Sequence, residues 1–298
     1  MRIGFHVSIA GGISLSIQRA LDVGCTTMQI FTHSPRAWSF PPISPAEAKA
    51  FKKARKASGI SPVFVHTSYL INLASPNEEL FHKSVDALRI ELLRADEIGA
   101  EYVVTHLGSA SDCEKKESVL RVAAGLRLVF DGLKTSSRLL LENTACERGD
   151  VGCSFEDIAE IIRLSGLDGL GVTVDTCHSY GAGYDLKHKA GLEETISIIE
   201  NSLGFDKVKL IHLNDSKHPL GSRKDRHEEI GLGDLGEAAF KRILRHPRLR
   251  DIPFVMETPK SGPEDDIRNM AVALRLAGKG AVKALENKGA LPTVFSQK

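Results

Sequence analysis

Short apolar runs alternate along the chain with segments whose apolar residues recur every three to four positions, and this pattern restricts the fold more than any other feature. Residues 2–7, 26–31, 63–66, 101–106, 138–142, 171–175, 208–212 and 252–257 read as strands. Helical periodicity covers about 13–21, 45–58, 77–99, 116–132, 154–166, 191–203, 236–245 and 264–278. Ser44-Pro45 reads as an N-cap with proline in the first turn, and Gly59 ends that helix. The strands are continuously apolar, as expected when both faces of a sheet are covered. Eight strands alternating with eight helices favour a closed (β/α)8 TIM barrel over an open doubly wound sheet. A single α/β domain is expected over residues 1–280, followed by a polar tail at 281–298. Gly231, Gly233 and Gly236 have the spacing of a dinucleotide loop, but they follow the seventh strand instead of the first and carry little weight as such.

A length of 298 residues suits one domain of this size. The formal net charge of +1 gives no global argument for nucleic acid, so any such binding needs a local basic surface. No run reaches the ~18 apolar residues of a membrane span, and the first residues lack a basic-then-apolar leader. Five cysteines (Cys25, Cys113, Cys146, Cys153 and Cys177) contain no C-x-x-C pair. That count argues against a disulfide scaffold and for a reducing, cytoplasmic location, with a Cys146–Cys153 bridge as the alternative.

In a barrel of this kind, chemistry sits at the C-terminal ends of the strands. From the third strand onward those ends carry His66, His106, Glu142, Asp175, His212 and Glu257, all metal-ligand types. Any one of them alone reads as an ordinary buried polar group. Six in succession do not, because converging buried carboxylates repel and desolvate unless cations are present.

His178 follows Asp175 by three residues. The loop after His212 presents Asp225 and His227 two residues apart, on one side of an extended segment. Taken by itself that loop also reads as a solvated polar stretch. With the strand ends it brings the ligand types to nine, more than one tetrahedral zinc uses. Three cations sharing a bridging carboxylate fit the number. Such a cluster clamps a phosphate and acidifies a bound water.

These residues, within the segments His6-Val-Ser-Ile-Ala-Gly-Gly12, His66-Thr-Ser-Tyr-Leu-Ile-Asn72, Glu142-Asn-Thr-Ala145, Asp175-Thr-Cys-His-Ser-Tyr-Gly-Ala-Gly-Tyr-Asp185, His212-Leu-Asn-Asp-Ser-Lys217 and Asp225-Arg-His-Glu-Glu-Ile-Gly-Leu-Gly233, resemble the endonuclease IV family of apurinic/apyrimidinic (AP) endonucleases to about residue 280. The resemblance implies a zinc-dependent DNA repair enzyme of base excision repair with three Zn2+ per chain, Mn2+ or Fe2+ being possible substitutes. It implies that His66, His106 and Glu142 hold one zinc. Glu142 then bridges to a second, completed by Asp175, His212 and Glu257, and His178, Asp225 and His227 hold the third. Glu142 and Glu257 are the implied catalytic carboxylates. A hydroxide between the first two metals attacks the phosphate 5′ to an abasic site, leaving a 3′-hydroxyl and a 5′-deoxyribose phosphate. Trimming of blocked 3′ ends is implied as well.

The implied partner is double-stranded DNA, with no membrane, and a monomer is expected. Arg36, Tyr69 and Leu70 match the family's wedge into a flipped-out site; without the resemblance they read as loop packing and barrel-rim capping. Lys217 and Arg226, with Arg223 and Lys224, are candidate phosphate contacts or a solvated loop face. Asn143 and Asn214, each beside a ligand, are candidates to orient it. Where the family carries a glycine-rich loop after Ala145, this chain has Cys146-Glu-Arg-Gly-Asp-Val-Gly-Cys153, which is more charged.

Two other functions fit parts of the pattern. A sugar isomerase or dehydratase on the same barrel needs only one or two metals and leaves His178, Asp225 and His227 without work. A non-catalytic binder of damaged DNA has no use for three complete ligand sets.

Overall fold

The computed structural model describes residues 1–110 and 114–278. Cys113 and the tail expected at 281–298 lie outside the described residues, as does the last part of the domain expected to end at 280. The chain runs β1 (Ile3–Phe5), α1 (Leu15–Asp22), β2 (Met28–Ile30), α2 (Pro45–Ser58), β3 (Val63–His66), α3 (Glu78–Ile98), β4 (Tyr102–Thr105), α4 (Lys115–Phe130) and β5 (Arg138–Glu142). It continues with α5 (Phe155–Ser165), β6 (Gly171–Asp175), α6 (Thr176–Ala182), α7 (Lys189–Ser202), β7 (Val208–His212), β8 (Asp215–Ser216), β9 (His227–Glu228), α8 (Gly236–Arg245), β10 (Phe254–Met256) and α9 (Pro263–Ala277).

Eight strands form one parallel sheet in the order β1-β10-β7-β6-β5-β4-β3-β2. The two ends of that order meet. His6 bridges Gln29 in parallel register, the Val7 N–H donates to Gln29 O at 2.8 Å, and the Thr26 N–H donates to Ile3 O at 2.9 Å. The sheet is therefore a (β/α)8 barrel, as the alternation predicts. Among the described residues, no helix is long and apolar enough to cross a membrane.

Several helices begin or end where the sequence provides caps. The Ser44 Oγ accepts from the Glu47 N–H at 3.2 Å, and Ser154 does the same for Asp157. Gly59, Gly99 and Gly166 close their helices in the left-handed conformation.

Two elements differ from the expectation. The stretch after β6 is helical, not loop, because the Asp175 Oδ1 accepts from the His178 N–H at 2.8 Å and caps α6. The loop after His212 contains a short antiparallel hairpin, with Asp215 opposite Glu228 and Ser216 opposite His227.

Period-two alternation along the strands builds two cores. Outward residues such as Val63, Val65, Leu139 and Leu141 pack with the helices. Inward residues Phe64, Val104, Leu140, Leu210 and Val255 fill the barrel interior as a separate cluster. Truncating one of them, for example Phe64→Ala, is expected to destabilise the fold by about 3–5 kcal/mol. Two residues further along each of those five strands, on the same inward side, stand His66, His106, Glu142, His212 and Glu257. The apolar plug is thus the floor of the polar site above it.

Candidate metal centre

The floor residues and the strand register bring the strand-end side chains together. Glu142, fully buried, is the hub. Its Oε2 lies 3.2 Å from His66 Nε2 and 3.6 Å from His106 Nε2. Its Oε1 lies 2.7 Å from His212 Nδ1. The same His212 nitrogen is 3.8 Å from Asp175 Oδ2 and 3.6 Å from Glu257 Oε2. On the outer side, His178 Nε2 and His227 Nε2 lie 3.3 and 3.2 Å from Asp225 Oδ1.

Three sets of donor atoms therefore converge, each within 4.8 Å: His66, His106 and Glu142; Glu142, Asp175, His212 and Glu257; and His178, Asp225 and His227. All nine residues singled out from the sequence are brought to one mouth of the barrel. Asp175, Cys177 and His227 make a further grouping, in which burial pushes the Cys177 thiol up to about 12.

The donor set fits cations. The Nε2 of His227 is buried without a hydrogen-bond partner although Asp225 is close, so the two point at a shared space instead of at each other. The carboxylates and imidazoles of the cluster shift one another's acidity. Burial by itself would raise the carboxyl of Glu142; the imidazoles of His212 and His106 and hydrogen bonds from His212 and His66 overcome this and hold it well below the usual carboxylate range. Burial disfavours charge on His212 and His227, yet the facing carboxylates raise both to about 9. His178 is raised by Asp175 and Asp225 against the same burial penalty. The partial desolvation of Asp225 would raise its carboxyl, but His178 and His227 hold it low.

The other face of three of these imidazoles is also held. His66 Nδ1 donates to Thr67 O at 2.8 Å, His178 Nδ1 to Asn143 O at 2.9 Å and His227 Nδ1 to Glu257 O at 3.0 Å. Asn214 donates to Asp175 Oδ2 at 2.7 Å and accepts from the Glu257 N–H at 2.8 Å. Asn143 Oδ1 accepts from the Asp175 N–H at 2.8 Å.

Two polar residues of the cluster were not singled out from the sequence. His6 Nδ1 is 3.3 Å from Glu257 Oε1. Gln29 is fully buried between His6, His212 and Glu257. The strand-end rule applied to β1 would have found His6. A glutamine inside an apolar strand was the available signal for Gln29.

The surroundings leave room for a large ligand. A cleft of ≈ 530 Å³ is lined by His6, Phe31, Pro35, Tyr69, His227 and Glu257 among others. A second, of ≈ 310 Å³, is lined by Tyr69, Asn72, His106, His178 and Asp225 among others. Tyr69 stands between them, 59% exposed and edge-on to Phe31 at 5.5 Å. Leu70 beside it is half-buried and Arg36 is exposed on the neighbouring loop. The Tyr69 N–H donates to Pro35 O at 3.1 Å, which ties those two loops together.

Lys217 and Arg226 are exposed on the loop after His212, but each faces a carboxylate of its own chain: Glu228 at 3.9 Å and Glu147 at 3.5 Å. The glycines at 231–236 wrap a side chain, not a nucleotide. The N–H groups of Gly231, Gly233 and Leu235 each donate to the Asp215 carboxylate at 3.0 Å.

Among the described residues the cysteines form the bridge named as the alternative, and no scaffold. Cys146 and Cys153 are paired, with Cα atoms 5.1 Å apart, while Cys25 and Cys177 are free and buried. The intervening loop turns back on itself through Gly149 and Gly152 at positive φ, which brings two sequence-local sulfurs together. The result is a staple on one loop and not a scaffold.

The fold and the donor clusters define a class: parallel barrels with imidazole and carboxylate groups at the strand ends. Accordingly, residues 17–276 match the family described as xylose isomerase-like TIM barrel. Within that class the chain belongs to the endonuclease IV family. It is 43% identical over 281 residues to the probable endonuclease 4 of Methanosphaerula palustris, covering 93% of this chain and 98% of the relative. It is 42% identical over 269 residues to the probable endonuclease 4 of Halothermothrix orenii, covering 90% and 97%. The crystal structure of endonuclease IV from Thermus thermophilus superposes with a TM-score of 0.81 at 39% identity, covering 97% of this chain and all of that one. A D-tagatose 3-epimerase-like protein shares the fold with a TM-score of 0.70 at 20% identity.

Proposed function

We propose that this protein is a zinc-dependent AP endonuclease of base excision repair, hydrolysing the phosphodiester 5′ to an abasic site and leaving a 3′-hydroxyl and a 5′-deoxyribose phosphate. The observation that carries the reading is the sharing of Glu142 between two of three converging donor sets. In this reading His66, His106 and Glu142 hold one Zn2+, Glu142, Asp175, His212 and Glu257 a second, and His178, Asp225 and His227 a third. Mn2+ or Fe2+ would suit the same donors. Bound by these donors, such cations would supply an acidified water and offset the charge of the phosphate.

The chain's own residues do the remainder. Glu142 and Glu257 set the charge around the reacting phosphate. Arg36, Tyr69 and Leu70 wedge into the gap left by the missing base. Lys217 and Arg226 turn from their intramolecular carboxylates to backbone phosphates. Blocked 3′ ends present the same phosphate to the same cluster and are further substrates. We take the protein to act as a cytoplasmic monomer on double-stranded DNA, with its catalytic domain ending near residue 280.

The test is a duplex holding one abasic site, incubated with purified protein before and after chelation. A single nick on the 5′ side, lost on chelation and restored by Zn2+, is expected, with about three zinc atoms per chain by elemental analysis. An intact strand beside rapid ketose isomerisation would place the protein with the sugar isomerases. Tight binding of abasic duplex without incision at full zinc occupancy would make it a binder of damaged DNA.

A further inference from the structure

We propose that Gln29 is a positioning residue of the metal centre, its amide holding His212 and Glu257 so that both face one cation. The inference rests on the ligand reading given above. Gln29 lies on β2 between Met28 and Ile30, both of which face the outer core. Its own side chain points the other way and is fully buried. A buried amide is tolerated only where its hydrogen bonds are made, and all of its partners belong to the cluster. Its Nε2 donates to Glu257 Oε1 at 2.6 Å and lies 3.0 Å from His6 Nδ1. Its Oε1 is 2.9 Å from His212 Nε2. A carboxylate oxygen only accepts, so the NH2 must face Glu257 and the amide oxygen is left for His212.

The two contacts act on the two ligands in complementary ways. His212 presents Nδ1 to Glu142, Asp175 and Glu257, so Nε2 is its distal nitrogen. An amide oxygen accepts the Nε2 proton but cannot take it away, which fixes the tautomer that leaves Nδ1 free for a cation. The NH2 occupies Oε1 of Glu257 and leaves Oε2, the oxygen nearer His212, for the same cation.

His66, His178 and His227 have their distal nitrogens held by backbone carbonyls. His212 relies on a side chain instead, so its support can be removed by substitution. The seam between β1 and β2 uses the backbone carbonyl of Gln29, so a side-chain change leaves the barrel closure in place.

The experiment compares full-length wild type, Gln29→Met and Gln29→Glu, each loaded with Zn2+ or with Co2+. Methionine keeps the length and the packing but forms neither hydrogen bond. Glutamate is nearly isosteric and keeps an acceptor for His212, while setting an oxygen against Glu257. Expected for both variants is loss of one metal per chain to a chelator at least about tenfold faster than wild type, with the other metals released at the wild-type rate. The Co2+ visible spectrum should change, and kcat on abasic duplex should fall while KM stays within twofold. A folded variant with wild-type release kinetics and an unchanged cobalt spectrum overturns the assignment. A wild-type protein that holds no metal at the nine-residue cluster overturns the ligand reading itself, and the wild-type arm reports that before any variant is compared.

Discussion

The backbone N–H of Asp225 donates to Glu147 Oε1 at 2.9 Å, tying the loop that leaves β5 to the loop that carries the outermost donor set. Glu147 lies inside the Cys146–Cys153 staple and also faces Arg226. The charged loop at 146–153 therefore braces a candidate ligand. Glu147→Ala should weaken the outermost metal about tenfold and leave the other two in place. Metal content after graded chelation checks this. Uniform loss from all three sites, or none, would contradict the bracing role.

Glu142→Gln should abolish turnover, reducing kcat about a thousandfold or more. The substitution removes the negative charge on which His66, His106 and His212 converge. Single-turnover incision of an abasic duplex is the measurement, with circular dichroism to establish that the barrel persists. Near-normal incision would exclude Glu142 from a bridging role.

Tyr69→Ala should weaken discrimination between abasic and intact duplex by about tenfold at unchanged metal content. The ring is exposed and touches the cluster only through its edge-on contact with Phe31 and its neighbour His66. Equal selectivity in the variant, read by competition binding, would remove the wedge assignment.

Metal uptake should release protons. His212 and His227 are raised to about 9 in the metal-free protein, above the ordinary imidazole value of 6.5. A raised folded-state value stabilises the metal-free fold fully below about 6.5, and that stabilisation is lost as pH rises through about 9. A cation needs these imidazoles, and the likewise raised His178, neutral, so at about pH 7.5 metal uptake must displace protons from all three, and apparent affinity should rise with pH toward about 9. Calorimetry in two buffers of different ionisation heat counts the protons. The melting temperature of the metal-free protein should also fall between about pH 7 and 9 relative to the loaded form. Affinity independent of pH would refute the account.

The barrel and most of its site were legible because both follow from local periodicity. Strands β3, β5, β6 and β7 have the boundaries that their apolar runs suggest. The residue closing such a run sits at the barrel mouth whatever the neighbouring strands do. Once the fold was read as a barrel, His66, Glu142, Asp175 and His212 had to meet. The α6 helix escaped that reading because its capping group is itself a candidate ligand, so Asp175 looked like the end of a strand and not also the start of a helix.

What the linear order could not decide were contacts between residues far apart in the chain with no periodic signal. Gln29 meets His212 across 183 positions and Glu257 across 228. Its neighbours in sequence say only that the strand is buried. The bracing of Asp225 by Glu147, 78 positions away, depended on where two loops happen to cross. Periodicity determined which side chains point into the barrel. Only closure of the sheet, which sets the register of β1 against β2 through His6 and Gln29, decided which of them touch.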